Sequence, residues 1–131
     1  MSNEVWAKKN RRKHGCIYET GYLACDMPLR GKKLGLLISV PPEHPNFNHG
    51  VRVAETALTH GLGVYLYCID DAVKGLNDPR LLQLQAGGLK LFACAYGAQR
   101  RGLSPGEQVV LAGLTILNDL IAETDRFVSF N

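Results

Sequence analysis

From residue 33 onward, short apolar runs alternate with segments whose apolar residues recur every three or four positions. Four of the runs are continuous, which is typical of strands buried on both faces of a parallel sheet. The closing segment of the chain, although less apolar, also favours a strand. We therefore predict strands at 34–40, 64–69, 89–93, 109–112 and 126–130.

The segments between these runs have the spacing of amphipathic helices. Asn46 or Asn48 is the expected N-cap of the first helix, because a short polar side chain there can accept a hydrogen bond from a free backbone N–H group. On the last helix we expect Leu117, Leu120 and Ile121 to be buried. We predict helices at 47–60, 79–87, 95–101 and 115–123, and a short helical turn at 73–76.

Alternation of strands and helices indicates an α/β fold, which we expect to be a three-layer α/β/α sandwich with a mostly parallel five-stranded sheet. Right-handed crossovers place the carboxyl ends of parallel strands at one edge of the sheet. The loop 41–48, the Asp70–Asp71 turn and Cys94 all follow predicted strands. They are therefore expected to meet at one crevice, where ligands of α/β sheets usually bind.

Cys94 is the strongest candidate for chemistry in this chain. It stands between a predicted strand and a predicted helix, where free amide groups favour the thiolate, the form of cysteine that attacks sulfur. Arg100 and Arg101 follow on the same helix and would add positive charge if they fold back toward the thiol. The alternative is that Cys94 only fills the core, as most buried cysteines do.

Other side chains near the predicted crevice have both functional and ordinary interpretations. His44 and His49 are candidate bases or hydrogen-bond partners for the thiol, or simply solvated loop residues. Asp70 is expected to cap the turn that follows its strand. Tyr96 would wall the pocket or pack at a subunit contact, and Arg100 and Arg101 would bind an anionic partner or lie in a subunit interface.

The length and net charge of the chain limit the number of domains and argue against nucleic-acid binding. The chain has 131 residues and a net charge of +3, which fits one domain without a large basic surface for nucleic acid. The basic cluster at 8–13 is expected to be a solvated tail within an amino-terminal arm, residues 1–31, that is partly extended with one short strand near 17–18 or 22–23. Residues 32–131 are expected to form the α/β domain.

Targeting and cofactor signals are weak. No secretory signal or membrane-spanning run is evident, so we expect a cytoplasmic protein whose four cysteines are not paired in disulfides. The cysteine spacing does not fit a zinc site, and neither a glycine-rich dinucleotide motif nor a phosphate-binding loop is present. We therefore expect no metal, nucleotide or organic cofactor, and a nucleotide-binding domain is the weakest interpretation. A thermal shift with nucleotide would test it.

Three segments resemble the DsrE/TusD proteins of the DsrE/DsrF superfamily, which take part in sulfur relay. Residues 94–103 look like the family's cysteine followed by small residues, an arginine pair and glycine. Residues 70–73 are similar to its acidic turn, and residues 113–130 to its closing helix and strand. The resemblance covers about residues 33–130.

This resemblance implies a function and an assembly. Cys94 would accept sulfane sulfur as a persulfide from a small donor carrier protein and pass it to an acceptor protein, and the subunits would form homotrimers or hexamers. Such a protein would be a carrier or possible sulfurtransferase, in sulfur metabolism or in thiolation of transfer RNA. The alternative is an oligomeric scaffold or small-ligand-binding protein of the same fold, in which Cys94 is structural and unreactive.

Overall fold

The computed structural model describes residues 29–131, and before them the backbone of two short strands. These strands, β1 (Cys16–Glu19) and β2 (Tyr22–Cys25), pair antiparallel, where the sequence predicted one strand. The predicted basic tail and the side chains of Cys16 and Cys25 lie outside the described residues.

Five parallel strands form the central sheet, in the order β6-β5-β4-β3-β7. This confirms the predicted α/β fold with its parallel five-stranded sheet. The strands are β3 (Lys33–Ile38), β4 (Gly63–Cys68), β5 (Lys90–Cys94), β6 (Val110–Ala112) and β7 (Arg126–Phe130).

Within residues 29–131, four α-helices and one 3-10 helix connect the strands of this sheet. Most bounds lie within two residues of those predicted, but the helical turn after β4 begins at Asp70 and is a 3-10 helix. The helices are α1 (Pro45–Thr59), the 3-10 helix (Asp70–Gly75), α2 (Pro79–Ala86), α3 (Ala95–Arg100) and α4 (Leu114–Glu123).

Helix α1 begins differently from the prediction. Its N-cap is His44, whose ring Nδ1 accepts a hydrogen bond from the backbone N–H of Asn46 at 3.1 Å. Pro45 occupies the first helical position, where its missing N–H costs nothing. The prediction of Asn46 or Asn48 as cap was therefore wrong, because the helix starts earlier than the apolar periodicity indicates.

The two faces of the sheet are covered unequally. On the first face, α1, α2 and the 3-10 helix pack on alternate strand residues such as Leu36 and Leu66. Each fully buried apolar side chain of this size stabilises the fold by about 1.5–3 kcal/mol. On the second face, the buried cluster is small and consists of Tyr67, Cys94, Ala112 and Leu120.

Helix α4 is the only helix that contributes a buried residue to the second cluster, among the residues described. Leu120 is buried, as predicted, whereas Leu117, also expected to be buried, is only half-buried. Ile121 is 49% exposed, so the prediction of its burial was wrong. Among the described residues, no element covers the side of α4 that carries Ile121.

Candidate functional site

Cys94 is both the last residue of β5 and the N-cap of α3. Its extended backbone, with φ −62° and ψ 113°, turns the chain from strand to helix. The sulfur accepts a hydrogen bond from the backbone N–H of Gly97 at 3.4 Å. Because the residue is 7% exposed, the thiol is sheltered but still reaches the surface.

The thiol lies in the wall of a surface cleft of about 410 Å³ at the carboxyl edge of the sheet. The cleft lies between the 3-10 helix, α3 and the start of α4. Its lining residues are Ile69, Asp70, Cys94, Tyr96, Gly97, Arg100, Arg101, Gly113 and Leu114. An apolar concavity of about 450 Å³ lies elsewhere, beside α1, but it contains no thiol, and the ionisable side chains in its lining are Arg52 and His60. We therefore take the cleft at Cys94 as the candidate site.

Arg101 joins α3 to the turn after β4. Its guanidinium donates to the carbonyl of Gly97 at 3.2 Å and to Oδ1 of Asp71 at 2.9 Å. Lys74 also approaches Asp71, at 3.3 Å. Hydrogen bonds from Arg101 and then Lys74 lower the pKa of the Asp71 carboxyl, so that this group is ionised at neutral pH.

Arg100 is placed differently from Arg101. Its guanidinium carbon lies 5.8 Å from the ring centroid of Tyr96, which is itself 67% exposed. No carboxylate among the described residues forms a salt bridge with it. Arg100 is thus the cation of the cleft that is open to an incoming anion.

Asp70 lies at the rim of the cleft with a backbone φ of +52°. This left-handed conformation is costly for residues with a side chain, although aspartate tolerates it better than most. It is the only such non-glycine residue in the part of the chain that the structure describes. The strained turn carries the chain from β4 past the thiol.

Tyr67 is a member of the site that the sequence did not reveal. It is fully buried on the same sheet face as Cys94, and its hydroxyl donates to the carbonyl of Ala112 at 2.9 Å. Burial, followed by the charge and hydrogen bonding of Cys94, raises the pKa of Tyr67 to about 12. One signal in the sequence could have indicated its position. Because side chains alternate along a strand, Tyr67 and Cys68 must face opposite sides of the sheet.

The structure brings together most of the site residues expected from the sequence. Cys94, Tyr96, Arg100, Arg101 and Asp70 all line the cleft. His44 does not, and neither does His49. His44 follows β3, and β4 lies between β3 and β5 in the sheet, so this histidine caps α1 at a distance from the thiol.

Cys68 is separated from Cys94 by the sheet itself. It is fully buried with Leu36, Leu66 and Ala93 on the first face, whereas Cys94 belongs to the cluster on the second. Burial raises the pKa of the Cys68 thiol to about 12, so it is protonated at neutral pH. These facts argue against Cys68 as a resolving thiol for Cys94.

Two further structural facts concern the described residues only. No group of three histidine, cysteine, aspartate or glutamate side chains converges there in a way that could hold a metal ion. None of the helices described is long and apolar enough to cross a membrane.

Comparison with known proteins identifies the family. The sequence profile of the DsrE/DsrF-like family matches residues 32–130. The chain belongs to the DsrE/DsrF-like family. This confirms the resemblance carried by the cysteine segment, and DsrE/DsrF-like membership suggests a role related to sulfur relay.

Solved structures share the fold described above. One of them is the crystal structure of the YchN protein from E. coli, with a TM-score of 0.66 and 17% sequence identity. The match covers 76% of this chain and 99% of YchN. No curated protein matches the sequence.

Proposed function

We propose that this protein is a sulfur-relay protein that carries sulfane sulfur as a persulfide on Cys94. The observation that carries the proposal is the position of this thiol. It ends β5, accepts a hydrogen bond from Gly97, and lies in the wall of a cleft that also contains two arginines. A thiol so placed has a hydrogen-bond donor for its anion and an opening through which a sulfur donor can approach.

Loading is a thiol exchange on sulfur. The Cys94 thiolate attacks the outer sulfur of a donor persulfide, forming a new S–S bond while the bond between the two donor sulfurs breaks. The donor leaves as a thiolate, and the outer sulfur remains on Cys94 as a persulfide. Sulfane sulfur moves without net oxidation, so the exchange requires no metal or organic cofactor.

Unloading repeats the exchange in the other direction. An acceptor thiolate attacks the outer sulfur of the Cys94 persulfide, and Cys94 departs as a thiolate, ready for another cycle. Each step needs a thiol that ionises readily and a sulfur atom that the partner can reach. It does not need elaborate acid–base chemistry. The protein would thus work as a carrier, with sulfurtransferase activity only in the sense of passing sulfur on.

The charges of the cleft suit anionic reactants. Persulfides and thiolates carry negative charge, and Arg100 offers an exposed guanidinium while Arg101 is held beside the thiol by Asp71. Such a rim also fits an acidic surface on a partner, because positive and negative patches steer encounter. We expect the partners to be a small sulfur-donor carrier protein and a downstream acceptor protein, both in the cytoplasm.

Self-association is part of the proposal. Among the described residues, α4 is the only helix that contributes a buried residue to the sheet face carrying Cys94, and β6 and α4 expose large apolar side chains there. They are Val110, Leu114, Ile116 and Ile121, each at least 38% exposed. Exposed apolar residues in such number favour a subunit interface, and we expect a homotrimer or hexamer.

Transfer to an acceptor tests the relay directly. The wild-type protein and Cys94→Ser would be incubated with a persulfidated donor protein, freed of donor, and mixed with a small thiol acceptor. Mass spectrometry of the acceptor should show persulfide formation with the wild type only. Equal formation with Cys94→Ser, or none with either protein, would favour a scaffold or ligand-binding role for this fold.

A further inference from the structure

The phenol of Tyr67 lies beside the reacting thiol. Tyr67 stands on β4, fully buried, in one cluster with Cys94, Ala112 and Leu120. Its hydroxyl donates to the Ala112 carbonyl at 2.9 Å, and Ala112 is the register partner of Cys94 between β5 and β6. The hydroxyl therefore reaches the point where these two strands end together.

The phenol of Tyr67 is still protonated at neutral pH, so it can donate a hydrogen bond to a thiolate at Cys94. Burial and the neighbouring thiol raise the pKa of Tyr67 to about 12, so the group keeps its proton throughout the physiological range. A neutral phenol has one proton to donate and can rotate it toward either of two acceptors. The acceptor that it bonds is the Ala112 carbonyl, and the second candidate acceptor is the sulfur of Cys94, which lies in the same buried cluster.

Ionisation of the thiol changes which acceptor is stronger. A neutral S–H group is a weak acceptor, so the proton of Tyr67 rests on the Ala112 carbonyl. A thiolate or persulfide anion makes a charge-assisted hydrogen bond, which is roughly twice as strong as a bond between neutral groups. The anion should therefore draw the hydroxyl proton away from the carbonyl.

We propose that Tyr67 is a hydrogen-bond donor to the anionic sulfur of Cys94, and that its hydroxyl turns from the Ala112 carbonyl to the sulfur when the thiol ionises. The N–H of Gly97, at 3.4 Å, is the second donor to the same atom. No covalent bond forms or breaks in this step. The role in stabilising a persulfide rests on the proposed function, whereas the role toward the thiolate does not.

Other titratable groups line or flank the cleft and must stay constant in any test. The turn after β4 contributes Asp70 and the Asp71–Lys74 pair, and α3 contributes Tyr96, Arg100 and Arg101. Among the described residues, α4 contributes no ionisable side chain to the cleft lining. A substitution confined to Tyr67 leaves all of these groups in place.

Tyr65 provides a matched control on the same strand and the same sheet face. Its hydroxyl lies near the ammonium group of Lys90, at 3.5 Å, rather than at the end of β5. Tyr65→Phe thus removes a phenolic hydroxyl from the same cluster without removing a donor from Cys94.

The pH–rate profile of Cys94 alkylation measures the proposed bond. Iodoacetamide labelling would be followed by peptide mass spectrometry, so that only Cys94 is counted. In Tyr67→Phe, loss of a charge-assisted bond should move the profile midpoint to higher pH and slow labelling at neutral pH about 3- to 10-fold. The high-pH plateau and the Tyr65→Phe profile should stay unchanged. A Tyr67→Phe midpoint equal to or below the wild-type midpoint would overturn the proposal.

A second substitution avoids loss of the Ala112 bond. Replacement of Tyr67 by 3-fluorotyrosine keeps the ring and the hydroxyl but makes the phenol more acidic and so a better donor. The profile midpoint should then move to lower pH, and an unchanged or higher midpoint would refute the role of Tyr67. Because neither measurement involves sulfur transfer, a normal Tyr67 effect without persulfide loading would refute the proposed function alone.

Discussion

Cys68 and Cys94 end neighbouring strands of the sheet, yet their side chains lie on opposite faces of it. Cys68 pairs in register with Ala93, one residue before Cys94. Because successive strand residues alternate between faces, this offset of one residue puts the sheet between the two sulfurs. The persulfide chemistry proposed for Cys94 would therefore proceed without an intramolecular disulfide to Cys68.

Substitution of Cys68 should affect stability and leave sulfur chemistry intact. Cys68→Ala removes a fully buried sulfur and should destabilise the fold by about 0.5–3 kcal/mol, the usual range for a point mutation. The rate and extent of Cys94 persulfide loading should equal those of the wild type under conditions where both are folded. Denaturant unfolding measures the stability change, and intact-protein mass spectrometry measures persulfide loading. A disulfide between Cys68 and Cys94 would contradict the placement of their side chains on opposite faces of the sheet.

Alkaline pH should unfold this protein. Burial raises the pKa of Cys68 from 9.0 to about 12, and that of Tyr67 from 10.0 to about 12. The raised pKa values mean that the folded state favours the neutral forms of both side chains. The stability that depends on their protonation is therefore intact below pH 9.0 and is lost as pH rises toward about 12. The urea midpoint should fall across this window, and more shallowly in Cys68→Ala. An identical slope in both proteins would contradict the burial of an ionisable thiol.

Arg100 should speed capture of anionic sulfur donors. Arg100→Ala removes the exposed guanidinium beside Tyr96 and should slow loading by polysulfide roughly 3-fold at low ionic strength. The difference should shrink in high salt, because salt screens exposed charges. Arg52→Ala, at an exposed position on α1 away from the cleft, is the matched control and should load normally. Equal slowing by both substitutions would show that only net charge matters.

Ile121 should lie in a subunit interface. It is 49% exposed on α4, and a lysine there would bury a charge if that face is covered by another subunit. Ile121→Lys should lower the mass measured by sedimentation velocity, from a trimer or hexamer toward a monomer, with little loss of helical signal. Val53→Lys, at a 37% exposed position on α1, should leave the mass unchanged. A monomeric wild-type protein would refute this interface.

Strands β3, β4 and β5 were predictable because they are buried in a parallel sheet. Runs such as that of β4 are almost entirely apolar, and each ends at a clear change of composition. The position of Cys94 followed from the same pattern, since its run ends where the amphipathic spacing of α3 begins. Its neighbours Tyr96, Arg100 and Arg101 reach the cleft because they share its short helix.

The remaining features depend on contacts between distant segments, which local pattern does not encode. The strand order puts β4 between β3 and β5, and this alone keeps His44 away from the thiol. Tyr67 could not be singled out from the sequence because its hydrogen-bond partner, the Ala112 carbonyl, lies 45 residues further along the chain. Ile121 has the spacing of a buried residue, yet no described element covers its side of α4.

The location of a single sulfur atom tests persulfide formation at Cys94 most directly. Wild-type protein and Cys94→Ser would be exposed to polysulfide, trapped with an alkylating reagent and analysed by intact and peptide mass spectrometry. We predict one added sulfur in the wild type, on the peptide containing Cys94, and none in Cys94→Ser. Added sulfur that persists in Cys94→Ser, or a Cys94 that stays unmodified and resists alkylation at neutral pH, would contradict the proposed relay.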